Sequence, residues 1–166
     1  MSLEARSDSL NPMSLSMSID DALLRAMAFE QHAHDFYQDF AQQAHPEAMP
    51  LVLELAAEEL KHLDLLRGLS TDADLARVRA QRVLTPPTQE RFDAYTAIPE
   101  LPSGAAEDDI LNYAEGMERI AFEHYRYLAE QAAAGPLKEL FEFLRDEEKQ
   151  HEAGIQSRWA ATFSVY

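Results

Sequence analysis

LAAEELKH at residues 55–62 and LRDEEKQH at residues 144–151 share one frame: a leucine, paired glutamates, and a histidine three residues after the second glutamate. Each follows a segment with one glutamate seven residues before a tyrosine, Glu30 with Tyr37 and Glu118 with Tyr125. Shifted by 88, residues 20–44 fall on 108–132, with Asp20, Leu23, Ala26, Glu30, Ala33, Tyr37 and Ala41 each matched by its own kind. Shifted by 89, Leu55, Glu58, Glu59 and His62 fall on Leu144, Glu147, Glu148 and His151. The extra residue belongs in the turn between paired helices, where insertions are tolerated. The chain therefore reads as two helical hairpins in tandem.

Period and end signals predict four long helices. The first runs from about Ile19 to Ala44, with Ser18 as its cap and Asp21 as capping-box partner. The second starts between Pro46 and Pro50 and ends near Leu69. The third spans about Glu107 to Ala133, with Asp108 and Asp109 at its positive end. Gly135 breaks the chain, and Pro136 suits the first position of a fourth helix ending near Ala161. Residues 70–106 form a long connection. Thr71-Asp72 is expected to open a short helix through Leu75, Val78 and Val83, and Pro86, Pro87, Pro99 and Pro102 to impose an extended path. That length is enough to cross the bundle, so that the second and third helices run parallel, or to pass to a neighbouring subunit as a domain swap. The expected division is an N-terminal tail over 1–18, a bundle over 19–161 and a C-terminal tail over 162–166.

Residues three and four apart share a helix face. Leu23, Met27, Glu30, Ala33, Tyr37 and Phe40 make one stripe, and Leu55, Glu59, His62 and Leu66 the next. Leu111, Glu118, Ala121 and Tyr125, then Leu144, Glu148, His151 and Ile155, repeat the pattern. Turned inward, these stripes bury four carboxylates, which cannot all ionise unaided. Two divalent cations would neutralise them, with His62 and His151 as neutral nitrogen donors. Mixed carboxylate and imidazole ligation suits iron or manganese, with zinc as a substitute. One Glu-x-x-His alone would be an ordinary surface pair; two in a duplicated frame, each with an upstream glutamate on an apolar stripe, are not.

On these six residues the chain resembles the ferritin-like superfamily and, within it, the rubrerythrin-type diiron domain, over about residues 19–161. The ligand pattern is the one by which such bundles are generally recognised. The resemblance implies an all-α, ferritin-like four-helix bundle with a long crossover, and a diiron centre held by Glu30, Glu59, His62, Glu118, Glu148 and His151. Tyr37 and Tyr125 resemble the tyrosines beside the ligating carboxylates in that family. The chain also departs from it. It has no cysteine, so it lacks the four-cysteine rubredoxin domain, and electrons are expected from a separate donor protein. The position one turn after Glu118 is Ala121, where relatives have another glutamate. Glu115, one turn before, is the candidate to take its part and supply protons. Leu60 stands where a haem-binding methionine follows the second-helix glutamate in bacterioferritins, so no haem is expected. TFSVY after Ala161 is too short for the fifth helix of cage ferritins.

The 166 residues include 30 acidic and 14 basic ones, a formal charge of −16. Such a surface disfavours nucleic acid and anionic membranes. No apolar run is long enough for a membrane span, and the first 17 residues lack the pattern of a secretory signal, so a cytoplasmic protein is expected. The expected function is reduction of hydrogen peroxide at a dinuclear iron centre in a homodimer. The alternatives are oxidation and handling of Fe(II) with oxygen or peroxide, oxidation of an organic substrate, and metal binding without catalysis. His32 and His34 fall on Ile120 and Phe122 in the other half, so the duplicated site does not need them; His124 neighbours Tyr125 but is expected on another face, and His45 in a turn. Glu58 and Glu147 are expected as solvated charges or hydrogen-bond partners of a neighbour.

Overall fold

The computed structural model describes residues 15–97, 99, 101 and 104–163. Four long helices dominate it: α1 (Ile19–Ala41), α2 (Met49–Thr71), α5 (Glu107–Gln131) and α6 (Pro136–Phe163). Between α2 and α5 lie a 3-10 turn (Ala73–Leu75), α3 (Ala76–Arg79), β2 (Arg82–Leu84) and α4 (Gln89–Ala94); β1 (Ser16–Ser18) precedes α1. The fold is the expected all-α bundle, and no described helix is long and apolar enough to cross a membrane.

The helix ends follow from local chemistry. Ser18 Oγ accepts from Asp21 N at 3.0 Å, and Asp21 Oδ2 accepts from Ser18 N at 3.4 Å, a complete capping box. Pro50 lies in the first turn of α2 and Pro136 opens α6, where a missing N–H costs nothing. Gly135 has φ +144°, a conformation that side chains oppose.

α1 packs along α2, and α5 along α6. Across the hairpins, Tyr125 hydrogen-bonds Glu30 and Tyr37 hydrogen-bonds Glu118, so α1 and α5 run antiparallel. α2 is antiparallel to α1 by the short turn between them, and therefore parallel to α5. The connection travels the length of the bundle, and both hairpins of one chain complete the core.

The connection departs from expectation in three places. The short helix ends at Arg79, and Val83 belongs to a strand instead. Gln89–Ala94 is a helix where an extended path was expected, because Pro87 and Pro99 flank that stretch without interrupting it. Ser16–Ser18, expected within the N-terminal tail, pairs antiparallel with Arg82–Leu84, Met17 opposite Val83. Both of those side chains are buried and anchor the ribbon on the bundle. The rest of the expected tail, residues 1–14, lies outside the described residues, as do 164–166; the expected C-terminal tail begins inside α6. Phe92 of α4 is fully buried and stacks on Phe29 at 4.2 Å and on His124 at 3.8 Å between ring centroids. The crossover is thus part of the core, worth a few kcal/mol at that ring alone.

Candidate metal centre

Glu30 lies on α1 between Ala26 and Ala33, with Phe29 and Tyr37 on the same buried face. Glu118 repeats this on α5 between Ala114 and Ala121. The small alanines leave room beside each carboxylate. On α2, Glu59 and His62 fall between Leu55 and Leu66, and on α6 Glu148 and His151 fall between Leu144 and Ile155. All six polar side chains are at most 4% exposed, although glutamate is almost never buried unpaired.

The six converge. Donor atoms of Glu30, Glu59, His62 and Glu148 lie within 4.8 Å of one another, as do those of Glu59, Glu118, Glu148 and His151. Glu59 and Glu148 belong to both groups; Glu30 with His62, and Glu118 with His151, belong to one each. His62 Nδ1 is 3.0 Å from Glu59, 3.1 Å from Glu148 and 3.5 Å from Glu30. His151 Nδ1 is 3.1 Å from Glu59, 3.3 Å from Glu148 and 3.4 Å from Glu118. The two rings stack at 5.4 Å.

Proximity here is not satisfaction. Glu30 Oε2, Glu59 Oε1, both oxygens of Glu148 and Nδ1 of His151 are buried without a hydrogen-bond partner. Unpaired buried polar atoms each carry a desolvation penalty, so native cores avoid them. These five atoms of the cluster are potential metal donors facing one spot. Four carboxylates and two imidazoles suit two divalent cations in charge and in donor type. The residues present therefore fit a dinuclear carboxylate site.

Without cations, the cluster balances charge with protons. Burial, then the charges of Glu148 and Glu59, raises Glu30 well above the usual carboxyl range. Burial and the same two neighbours raise Glu118. Burial also opposes ionisation of Glu59 and Glu148, yet contacts with the Glu118 carboxyl and then the imidazoles hold Glu148, and contacts with the imidazoles hold Glu59, below the ordinary value. Burial alone would lower His62 and His151, and the carboxylates overcome it and hold both as imidazolium. Two anions and two cations result, as neutral as four carboxylates with two M²⁺.

The surrounding contacts pin the donors. Tyr125 donates to Glu30 Oε1 and Tyr37 to Glu118 Oε1. Each tyrosine expected beside a ligand thus serves the glutamate of the other hairpin. His151 Nε2 lies 2.8 Å from Glu58, and His62 Nε2 lies 3.9 Å from Glu147. The hydrogen-bonded carboxylate of Glu58 keeps a proton on the outer nitrogen of His151 and frees its Nδ1 to ligate, while Glu147 faces His62 only as a nearby charge. Glu58 is thus a hydrogen-bond partner of a neighbour and Glu147 a partly exposed charge, as the sequence allowed, while the identity of the neighbour, a cluster histidine of the other hairpin, came only with the fold.

The structure does not bring Glu115 to the cluster. It pairs with Arg119 at 2.5 Å and Gln156 at 2.9 Å, drawn to the α5–α6 surface by a guanidinium that also holds Glu152. His34 accepts no cluster role either; its Nδ1 meets the Ala56 carbonyl at 2.7 Å and ties α1 to α2. His32 faces the Tyr113 hydroxyl at 3.4 Å. His124 is buried beside Thr88 and Phe92. An open groove of about 640 Å³ between the crossover and α5 is lined by Tyr95, Tyr113 and Gly116 among others, and by none of the six.

Comparison with known proteins gives one family. The family model described as Rubrerythrin matches residues 21–157, which include all six cluster residues. No curated protein and no solved structure matches the chain.

Proposed function

The chain belongs to the rubrerythrin family, and from that premise we propose that it is a diiron protein that reduces hydrogen peroxide. Glu30, Glu59, His62, Glu118, Glu148 and His151 would hold the ions, with Glu59 and Glu148 shared between them. Bound iron would supply two one-electron equivalents, the number needed to reduce peroxide to water. The observation that carries the reading is the pair of overlapping donor groups, buried and rich in unpartnered oxygens.

The remaining roles belong to the chain's own side chains. Tyr37 and Tyr125 hold Glu118 and Glu30 in place through their hydroxyls. Burial raises both phenols well above their usual range, so each keeps its proton on the oxygen facing the carboxylate. Glu58 orients the His151 imidazole from outside, and the Glu147 charge faces His62. Leu55, Leu66, Leu144 and Ile155 keep bulk water from the cluster. A small oxidant suits such a closed core, and the 640 Å³ groove that could take a larger molecule is lined by other residues. Reducing equivalents would come from a separate donor protein, because no cysteine is available for an iron–sulfur site of the rubredoxin kind.

The test is anaerobic loading with Fe(II), followed by stopped-flow oxidation with peroxide and with oxygen, and iron analysis. Much faster oxidation by peroxide, with about two iron atoms per chain, supports the reading. Faster oxidation by oxygen, or retention of many iron atoms per chain, would replace it with iron oxidation and storage.

A further inference from the structure

Glu58 and Glu147 each face the outer nitrogen of a cluster histidine. Glu115 and Glu152 pair with Arg119, Asp20 with Arg79, and Glu107 with Arg158. Glu58 and Glu147 have no lysine or arginine partner among the described residues. Glu58 Oε2 meets Nε2 of His151 at 2.8 Å, and Glu147 Oε2 faces Nε2 of His62 at 3.9 Å. The nearby Lys149 is engaged by Glu152 at 3.1 Å.

These four side chains bridge outside and inside. The carboxylates are 30% and 25% exposed, and the imidazoles 4% and 2%. Donor atoms of His62, Glu147 and His151 lie within 4.8 Å of one another, a third convergent group beside the two of the buried cluster. Each imidazole shows Nδ1 to the cluster and Nε2 to this outer spot. A cation held outside is therefore one ring's width from the inner donors.

We infer that Glu58, Glu147 and the outward nitrogens of His62 and His151 form a cation-binding port, through which divalent transition ions pass between α2 and α6 to the buried cluster. This inference rests on the reading of that cluster as a dinuclear metal site. Nitrogen and carboxylate donors together select a transition ion over Mg²⁺ or Ca²⁺. Two carboxylates at the mouth of a chain with formal charge −16 also concentrate cations where they are needed. The port fills only in passing, because an imidazole that ligates inward carries its proton outward.

Uptake of Co²⁺, followed by visible absorption in a stopped flow, tests the port without redox chemistry. In the double variant Glu58→Gln/Glu147→Gln, association should slow at least about tenfold and lose much of its salt dependence, by more than any rise in the dissociation rate. An association rate unchanged from wild type would overturn the port, and a rise confined to the dissociation rate would leave these glutamates as positioning residues only. A second arm uses Glu30→Gln/Glu118→Gln, which cripples the inner site. That protein should keep a weak Co²⁺ site that disappears when Glu58→Gln/Glu147→Gln is added, and persistence of the site would equally refute the port. If wild type takes up no Co²⁺ at all, the dinuclear reading itself fails.

Discussion

Tyr125 on α5 donates a hydrogen bond from its hydroxyl to Glu30 on α1, and the reciprocal bond runs from Tyr37 to Glu118. All four side chains are fully buried or nearly so. Replacing a tyrosine by phenylalanine keeps the ring but strands one carboxylate oxygen. Tyr125→Phe and Tyr37→Phe should each destabilise the metal-free protein by about 1–3 kcal/mol in urea unfolding. Because the two bonds are related by the repeat, the two losses should be similar. A large inequality would mean that the halves are not equivalent.

Metal binding should release protons. In the empty cluster Glu30 and Glu118 are held protonated, and His62 and His151 are held as imidazolium. Ligation needs all of these groups deprotonated. Calorimetric titration with Zn²⁺ at pH 7 in buffers of different ionisation enthalpy should therefore show about four protons released per two ions. Affinity should fall as pH is lowered, since protons then compete for the same donors. A release near zero would mean that the cluster is already ionised and hydrated when empty.

His124 should make stability depend on pH through a different route. Burial, helped by Arg25, lowers it from 6.5 to about 3. Below pH 6.5 the unfolded chain takes up a proton there and the folded chain does not. Its contribution is complete above pH 6.5 and is lost as pH falls towards 3, at a limiting slope of about 1.4 kcal/mol per pH unit. His124→Phe keeps a ring against Phe92 and removes the titration. The stability difference between wild type and variant, measured by urea at pH 4 to 7, should follow that slope, and a flat difference would count against it.

Phe92→Ala should cost about 3–5 kcal/mol, because the ring is fully buried between Phe29 and His124. Denaturant unfolding of the metal-free protein gives the number. A loss below about 1 kcal/mol would show that the connection merely lies on the surface.

The bundle was legible because the chain states its plan twice. A glutamate and a Glu-x-x-His at the same offsets in both halves identified the cluster residues, and apolar stripes showed that they face inward. The duplication could not inform the crossover, which has no second copy. The three-residue strands at Met17 and Val83 are too short to show alternation and lie far apart in sequence. Phe92 is a single apolar residue among polar ones, and only the packed structure reveals its partners. Glu115 misled because helical spacing ignores Arg119, four residues on, which holds it at the surface.

The crosswise tyrosine bonds have a consequence for how the molecule can be divided. Neither hairpin is self-sufficient, since each one's phenol answers a carboxylate carried by its sibling. Severed in the crossover, the pieces would hold only half a cage each, and cations would become the glue that brings them back together.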